Sequence, residues 1–416
     1  MPWPEQVHVG ASRQLHTPRP PCRHMKTVEL VYFNAGGGHR AAALALQEVM
    51  AEQARPWRVV LTNLTDMLDP QQLFQRLTGM APEDIYNKRL ASGFTLGLGQ
   101  ELKLLQGAIR LTHPAQLDRL RPHWHRGEPD LVVSLIPNFN RALCQSLSQA
   151  LPGVPFVTVL TDMADHPPHF WVEPDLPQHL VCGTDHAVQQ ALAAGCDARR
   201  VHRVSGMILR PAFYSPRPGA ASRVAQRAAV GLPGQAPTGL VLFGGHGSQA
   251  MKRIAQRLPD TPLILMCGRN AALAQALREQ PRTAPRVVVE FTPDVARWMA
   301  LADFFIGKPG PGSVSEAVHM GLPVIVTRNA WTMPQERWNT DWIQQQGVGV
   351  VQRSFRSVQA AVAQVLARLP DYQEPVRRID NRAVFELPEL FARLLHPVTA
   401  PAPAPLNSSL HATSPT

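Results

Sequence analysis

The chain has 416 residues, 44% hydrophobic and 17% charged, enough apolar material for about two ordinary domains and too much for a disordered chain. Its formal net charge of +10 is mostly arginine, the lysines being only Lys26, Lys88, Lys103, Lys252 and Lys308. There is no dense basic run or aromatic-interleaved basic motif to argue for nucleic acid, so the charge is either a solvated surface or a face for an anionic bilayer or phosphate-bearing substrate.

No stretch approaches the roughly 20 apolar residues of a membrane span. The five scattered cysteines contain no C-x-x-C pair, which gives neither a zinc site nor a disulfide framework and suits a reducing, cytoplasmic setting. Residues 1–24 are rich in Pro, His and Arg and lack an apolar signal core, so they read as a disordered extension, with translation starting at Met1 or Met25.

Residues 28–33 read as a buried strand, followed by the Gly-rich turn Asn34-Ala35-Gly36-Gly37-Gly38-His39 and an Ala-rich helix over 40–53. Further strands are expected at 58–63, 131–135 and 155–160. Residues 73–111 carry a Gly-spaced apolar patch at 93–99 and then a helix over 101–111. This region either packs on the sheet or dips into an anionic leaflet. Residues 211–237, rich in Pro, Gly and Ala with a helical patch at 222–229, read as an inter-domain connection.

The pattern then restarts. Strands are expected at 239–243, 263–267, 286–290, 304–306 and 323–327, with helices at 271–279 and 313–320. Strands separated by helices give an α/β chain with parallel sheets. The two units, each opening with strand, Gly-rich turn and helix, read as two Rossmann-like domains facing across a cleft. The expected divisions are 1–24, 25–210, 211–395 and a disordered Pro/Ala/Ser/Thr-rich tail at 396–416.

Four segments carry chemistry. In the first turn, glycines admit a ligand close to the backbone, and His39 stands at the following helix start as a candidate general base; a plain turn with a solvated histidine is the alternative. The loop Gly244-Gly245-His246-Gly247-Ser248 offers successive N–H groups and a hydroxyl to a phosphate, or is simply a strand–helix turn. Lys308-Pro309-Gly310-Pro311-Gly312-Ser313 opens a helix whose N-terminus suits an anion. Glu316, one turn in, is placed to accept ribose hydroxyls, although Ser313 and Glu316 also have capping-box spacing. After the next strand, residues 329–339 concentrate Gln335, Glu336 and Asn339, side chains suited to sugar hydroxyls. No D-x-D pair is present to hold a metal and diphosphate, so neither metal nor cofactor is expected, and leaving-group charge would be met by loop amides, helix N-termini and Lys308 or arginines.

The strings KPGPGSVSEA (308–317), NAWTMPQERWN (329–339) and GGGHR (36–40), with VSGM (204–207) and CGRN (267–270), resemble glycosyltransferase family 28. The resemblance is nearest to the monogalactosyldiacylglycerol synthases and more distant to the lipid II N-acetylglucosaminyltransferase. It runs from about residue 25 to 395. It implies a GT-B fold, a final helix returning to the first domain, and inverting transfer of a hexose from a UDP-sugar to a lipid, diacylglycerol favoured. Under it, His39 is the base, Glu316 holds ribose, and Phe291 and Thr292 lie against uracil. The 244–248 loop and Gly312–Ser313 face diphosphate, and Gln335, Glu336 and Asn339 contact the sugar. Gly37, Gly38, Asp162 and His166 fall on the acceptor side, with Asp162 alternatively a helix cap. Expected partners are a UDP-sugar, a lipid acceptor and the cytoplasmic face of an anionic membrane. Ala35 stands where the family usually has threonine, and His246 is unexpected in a phosphate loop. The rival activities are N-acetylglucosaminyl transfer to another lipid or polyprenyl acceptor, UDP-sugar epimerisation, and binding without catalysis. Donor sugar, acceptor and oligomeric state are left open.

Overall fold

A computed structural model of the chain describes residues 25–34, 37–69 and 98–396, together with Gln71, Arg76 and Gly79. The expected N-terminal extension, the tail beyond His396, Ala35 and Gly36 of the first turn, and residues 93–97 of the apolar patch lie outside the described residues.

The first unit runs β1 (Lys26–Tyr32), α1 (Gly38–Glu52), β2 (Trp57–Asn63), α2 (Leu64–Leu68), α3 (Leu98–Leu111), α4 (His113–Gly127), β3 (Leu131–Ser134), α5 (Asn140–Ala150), β4 (Phe156–Val159), β5 (His179–Cys182), α6 (Asp185–Ala193) and β6 (Val201–Arg203). The second runs α7 (Ala220–Ala229), β7 (Gly239–Leu242), α8 (Ala250–Arg257), β8 (Leu263–Gly268), α9 (Ala271–Glu279), β9 (Arg286–Glu290), α10 (Val295–Ala300), β10 (Phe304–Gly307), α11 (Pro311–His319), β11 (Val324–Thr327), α12 (Arg337–Gln345), β12 (Gly349–Gln352), α13 (Val358–Ala367) and α14 (Leu369–Arg378). α15 (Ala383–Leu395) then leaves the second unit and packs Val384, Leu387, Leu390 and Phe391 into the core around β1 and α1.

Each unit is built on a six-stranded parallel sheet, ordered β2-β1-β3-β4-β5-β6 and β12-β11-β10-β7-β8-β9. Helices cover both faces, so central strands such as β3, β4, β7 and β10 are buried along their whole length and read as unbroken apolar runs. Strand order reverses between β1 and β3 in one sheet and between β7 and β10 in the other. Parallel sheets take ligands outside the carboxyl ends of their strands at such switch points. Both glycine-rich turns and the Lys308 turn lie there.

The chain passes between units twice, and the crossings are fastened side by side. Asn381 Nδ2 donates to the Met207 carbonyl at 2.9 Å and Arg382 N donates to Ser205 Oγ at 2.7 Å. The expected connection at 211–237 contains α7, which belongs to the second unit. Its fully buried Arg227 donates through Nε to the Leu301 carbonyl at 2.8 Å and pairs with Asp303 at 2.6 Å.

Candidate active site

The glycines divide into two kinds. A Cβ added to Gly37, Gly38, Gly244, Gly245 or Gly312 would meet nothing within 4 Å. On Gly268 it would fall 2.2 Å from the Gly245 carbonyl, and on Gly307 2.5 Å from the Leu242 carbonyl. The second kind permits tight packing; the first leaves bare backbone beside open space at both switch points, which suits close approach of a ligand.

On the second unit, the loop after β7 is stapled to the turn after β8. Arg269 N donates to the Gly245 carbonyl at 2.9 Å and Asn270 Nδ2 to the His246 carbonyl at 3.2 Å. His246 is exposed, while Ser248 Oγ accepts from Ala250 N at 3.2 Å. Phe291, 54% exposed at the end of β9, lies under the Arg269 guanidinium at 4.2 Å, and Thr292 Oγ1 accepts from Asp294 N.

The Lys308–Gly312 turn follows β10 and opens α11, with extended Gly310 as its N-cap and Pro311 in the first position. No side chain caps this end. The S-x-x-E spacing therefore does not form a capping box here: Ser313 lies inside the helix, its Oγ 3.5 Å from the Gly310 carbonyl. The first-turn N–H groups remain available to an anion. Glu316 is half-buried one turn in. Burial pushes its carboxyl up to about 7, against the pull of the Arg210 guanidinium.

The segment after β11 is fastened to this turn. Lys308 Nζ pairs with Glu336 Oε1 at 2.7 Å, and Asn339 Nδ2 donates to the Pro309 carbonyl at 2.8 Å. Glu336 is 4% exposed and Asn339 fully buried. Asn339 thus stands behind the loop instead of on its cleft surface, because its amide is used to tie α12 to the turn. Gln335 remains half-buried on the loop.

On the first unit, His39 is the second residue of α1, and its ring meets Trp171 edge-on at 6.3 Å. Burial lowers its pKa to about 4, with the Phe33 carbonyl pulling slightly the other way; Nδ1 is buried and makes no hydrogen bond of good geometry. Asp162 follows β4 and caps no helix. Its Oδ2 accepts the Trp171 Nε1–H at 3.0 Å. Burial is the main cause raising its pKa to about 7. Glu336 and Asp165 add to the rise, and the Trp171 bond and Lys308 oppose it. Lys308 and Glu336 of the second unit therefore act on Asp162 of the first. His166, half-buried in the same loop, is close enough to His186 to help lower that ring's pKa.

Trp171 and Asp165 were not among the residues expected from sequence. Asp165 accepts from the backbone N–H groups of His169, Phe170 and Trp171 at 2.9, 3.0 and 2.7 Å and so shapes the loop that presents Asp162. Arg269 and Arg210 stand in or beside strings that carry the family resemblance, but no site role was expected of either, and nothing in the spacing marked the contact of Arg269 with Phe291 or the pull of Arg210 on Glu316. Among the described residues no group of three or more His, Cys, Asp or Glu is placed to hold a metal.

Residues 240–369 match the family described as the glycosyltransferase family 28 C-terminal domain. Over 362 residues the chain is 26% identical to a probable chloroplastic monogalactosyldiacylglycerol synthase of Nicotiana tabacum, covering 82% of this chain and 64% of that protein, so it spans somewhat less than two thirds of that relative's length. The crystal structure of Acinetobacter baumannii MurG superposes with a TM-score of 0.53 at 13% identity, covering 88% of this chain and 99% of that one. Anabaena HepE in complex with UDP and glucose gives 0.52 at 15% identity, covering 90% and 100%. The second unit of this chain thus matches the glycosyltransferase family 28 C-terminal domain over residues 240–369, and the described residues have the GT-B fold.

Proposed function

We propose that this protein is an inverting hexosyltransferase that moves a sugar from a UDP-sugar to a lipid hydroxyl, with diacylglycerol as acceptor. The observation that carries the reading is the fastening of the 329–339 loop to the Lys308–Gly312 turn through the Lys308–Glu336 pair and the Asn339–Pro309 bond. An anion-ready helix N-terminus and a sugar-reading loop then share one wall, opposite an acidic group on the first domain.

In this reading Glu316 holds the ribose, Phe291 and Thr292 border the base, and the Gly244–Ser248 loop with the first turn of α11 receives the diphosphate. Gln335 and Glu336 read the sugar. The acceptor hydroxyl attacks the anomeric carbon in line, and UDP departs with its charge met by Lys308 and the backbone N–H groups. The proton goes to a base on the first domain, where His39 and Asp162 stand. HepE with UDP and glucose, and the synthase relative, support the donor class and the lipid product.

A lipid acceptor is further supported by α3, which exposes Leu104 (74%), Leu105 and Leu111 (85%) on a helix that also carries Lys103 and Arg110, a composition suited to an anionic leaflet. Among the described residues no helix is long and apolar enough to cross a membrane. The test is UDP release from UDP-galactose, UDP-glucose and UDP-N-acetylglucosamine, with and without dioleoylglycerol in anionic vesicles, followed by mass spectrometry of the lipids. Acceptor-dependent release with a monoglycosyl lipid is expected. Interconversion of the donor sugars without an acceptor, or no release from any donor, would end the proposal.

A further inference from the structure

We propose that Asp162 is the catalytic residue that holds the acceptor's reacting hydroxyl and takes its proton; this rests on the glycosyl-transfer reading above. Asp162 lies just beyond the carboxyl end of β4, within reach of the charges of Lys308 and Glu336 on the donor wall. One of its oxygens is fixed by the Trp171 Nε1–H at 3.0 Å, and among the described residues no hydrogen bond engages the other. A carboxylate that is 8% exposed and held by one bond is costly to build, and such groups concentrate at reaction centres.

The surroundings are organised to aim it. Trp171 is fully buried, and its backbone N–H is held by Asp165. Asp165 is in turn gripped on both sides of its peptide by Gln190, through Asp165 N to Oε1 at 2.8 Å and Nε2 to the Asp165 carbonyl at 3.0 Å. The charged and titratable groups around Asp162 are Glu336, Lys308 and Asp165, with the His39 ring edge-on to Trp171 at 6.3 Å. Burial lowers the His39 pKa to about 4, its Nδ1 makes no hydrogen bond of good geometry, and among the described residues no carboxylate is bonded to its ring.

Charge bookkeeping favours the carboxylate. As the acceptor O–C1 bond forms, the hydroxyl proton passes to Asp162, and the C1–O bond to the diphosphate breaks with its electron pair leaving on UDP. Asp162 becomes neutral while negative charge accumulates on UDP, so no net charge is added to the cleft. A proton taken by His39 would instead create a buried cation.

The test uses the full chain with UDP-galactose, UDP-glucose and dioleoylglycerol in phosphatidylglycerol vesicles, comparing wild type, Asp162→Asn, Asp162→Glu and His39→Gln. Asparagine keeps an oxygen for Trp171, so the melting temperature at pH 5 should hold. Asp162→Asn is expected to lower kcat on the order of 100- to 1,000-fold with UDP affinity retained. The acid limb of the kcat profile should vanish in Asp162→Asn, persist in His39→Gln, and return with part of the rate in Asp162→Glu. Wild-type kcat in Asp162→Asn, or an acid limb abolished by His39→Gln and kept by Asp162→Asn, would overturn the assignment. A wild-type enzyme that transfers from no donor would overturn the glycosyl-transfer reading itself.

Discussion

Two carboxyls on opposite walls of the cleft, Glu316 and Asp162, are held by burial near 7 against ordinary values of 4.5 and 3.8. The native state therefore keeps protons that the unfolded chain has released between about pH 4 and 7. The stability associated with those protons is fully present below the unfolded values and is lost as pH rises through 7. His39 acts with the opposite sign: its pKa is depressed to about 4 from 6.5, so stability is present above 6.5 and is lost as pH falls through 4. Glu316→Gln should accordingly gain more melting temperature relative to wild type at pH 8 than at pH 5, while UDP affinity measured by calorimetry falls about tenfold with loss of a charge-assisted ribose contact. Equal thermal shifts at both pH values would contradict a desolvated Glu316. His39→Ala is expected to slow turnover by removing the ring that packs against Trp171, the partner of Asp162, while UDP affinity stays within about threefold, since among the described residues no hydrogen bond ties that ring to the donor wall. The positions of Glu316, Lys308 and His39 were legible because each stands at a fixed place beside a glycine turn. Asp165 and Trp171 were not, because they meet Asp162 within an irregular loop that has neither helical nor strand period.

At the level of elements, most of the strands that read clearly were those buried on both faces, where sheet packing demands unbroken apolar runs; the edge strands β2 and β9 read as well, through their runs of valine and leucine. β5, β6 and β12 escaped. β5 is only His-Leu-Val-Cys, while β6 (Val-His-Arg) and β12 (Gly-Val-Val-Gln) are edge strands whose partly exposed residues relax that demand. The start of α11 shows the reverse case. Ser313 and Glu316 have the spacing of a capping box, yet Pro311 with its fixed φ starts the helix two residues earlier. Serine is carried past the capping position, and the helix end is left bare for a ligand. Gly312→Ala separates these roles. Its new methyl would meet no protein atom within 4 Å, and alanine favours a helix by up to about 1 kcal/mol over glycine. The variant should melt at or above the wild-type temperature by scanning fluorimetry yet bind UDP about tenfold more weakly, because the methyl occupies the approach to the first-turn amides. Unchanged UDP affinity would remove α11 from the diphosphate site.

Across the whole molecule, catalysis between two walls depends on how the domains are joined. The resemblance implied a returning helix, and α15 does pack on the first sheet, but the joint itself was not legible: Ser205, Gly206 and Asn381 are about 175 residues apart and meet only when both units are folded. Beside the joint lies a cavity of about 540 Å³ bordered by Gly183, His186, Ser205, Ser315, Trp338 and Asn381, across which the His186 and Trp338 rings stack at 4.4 Å and 7°. The domains therefore touch at the fastened crossings, at this stack and through Met163, which is buried with the core of the second unit, with open volume beside these contacts. Gly206 is packed directly against the second crossing: a Cβ there would fall 2.6 Å from Asn381 Cγ, and Asn381 is itself buried and bonded to Met207 and Ala383. Gly206→Ala must push the crossings apart, with an expected cost of about 1–3 kcal/mol. Because the change misaligns walls that leave each binding surface intact, kcat should fall more than UDP affinity. Gly219→Ala, where a Cβ meets nothing within 4 Å, is the control and should match wild type in both. Calorimetry would show whether Gly206→Ala splits unfolding into two transitions; a single unshifted transition with wild-type turnover would mean that the crossings do not set the apposition of the domains.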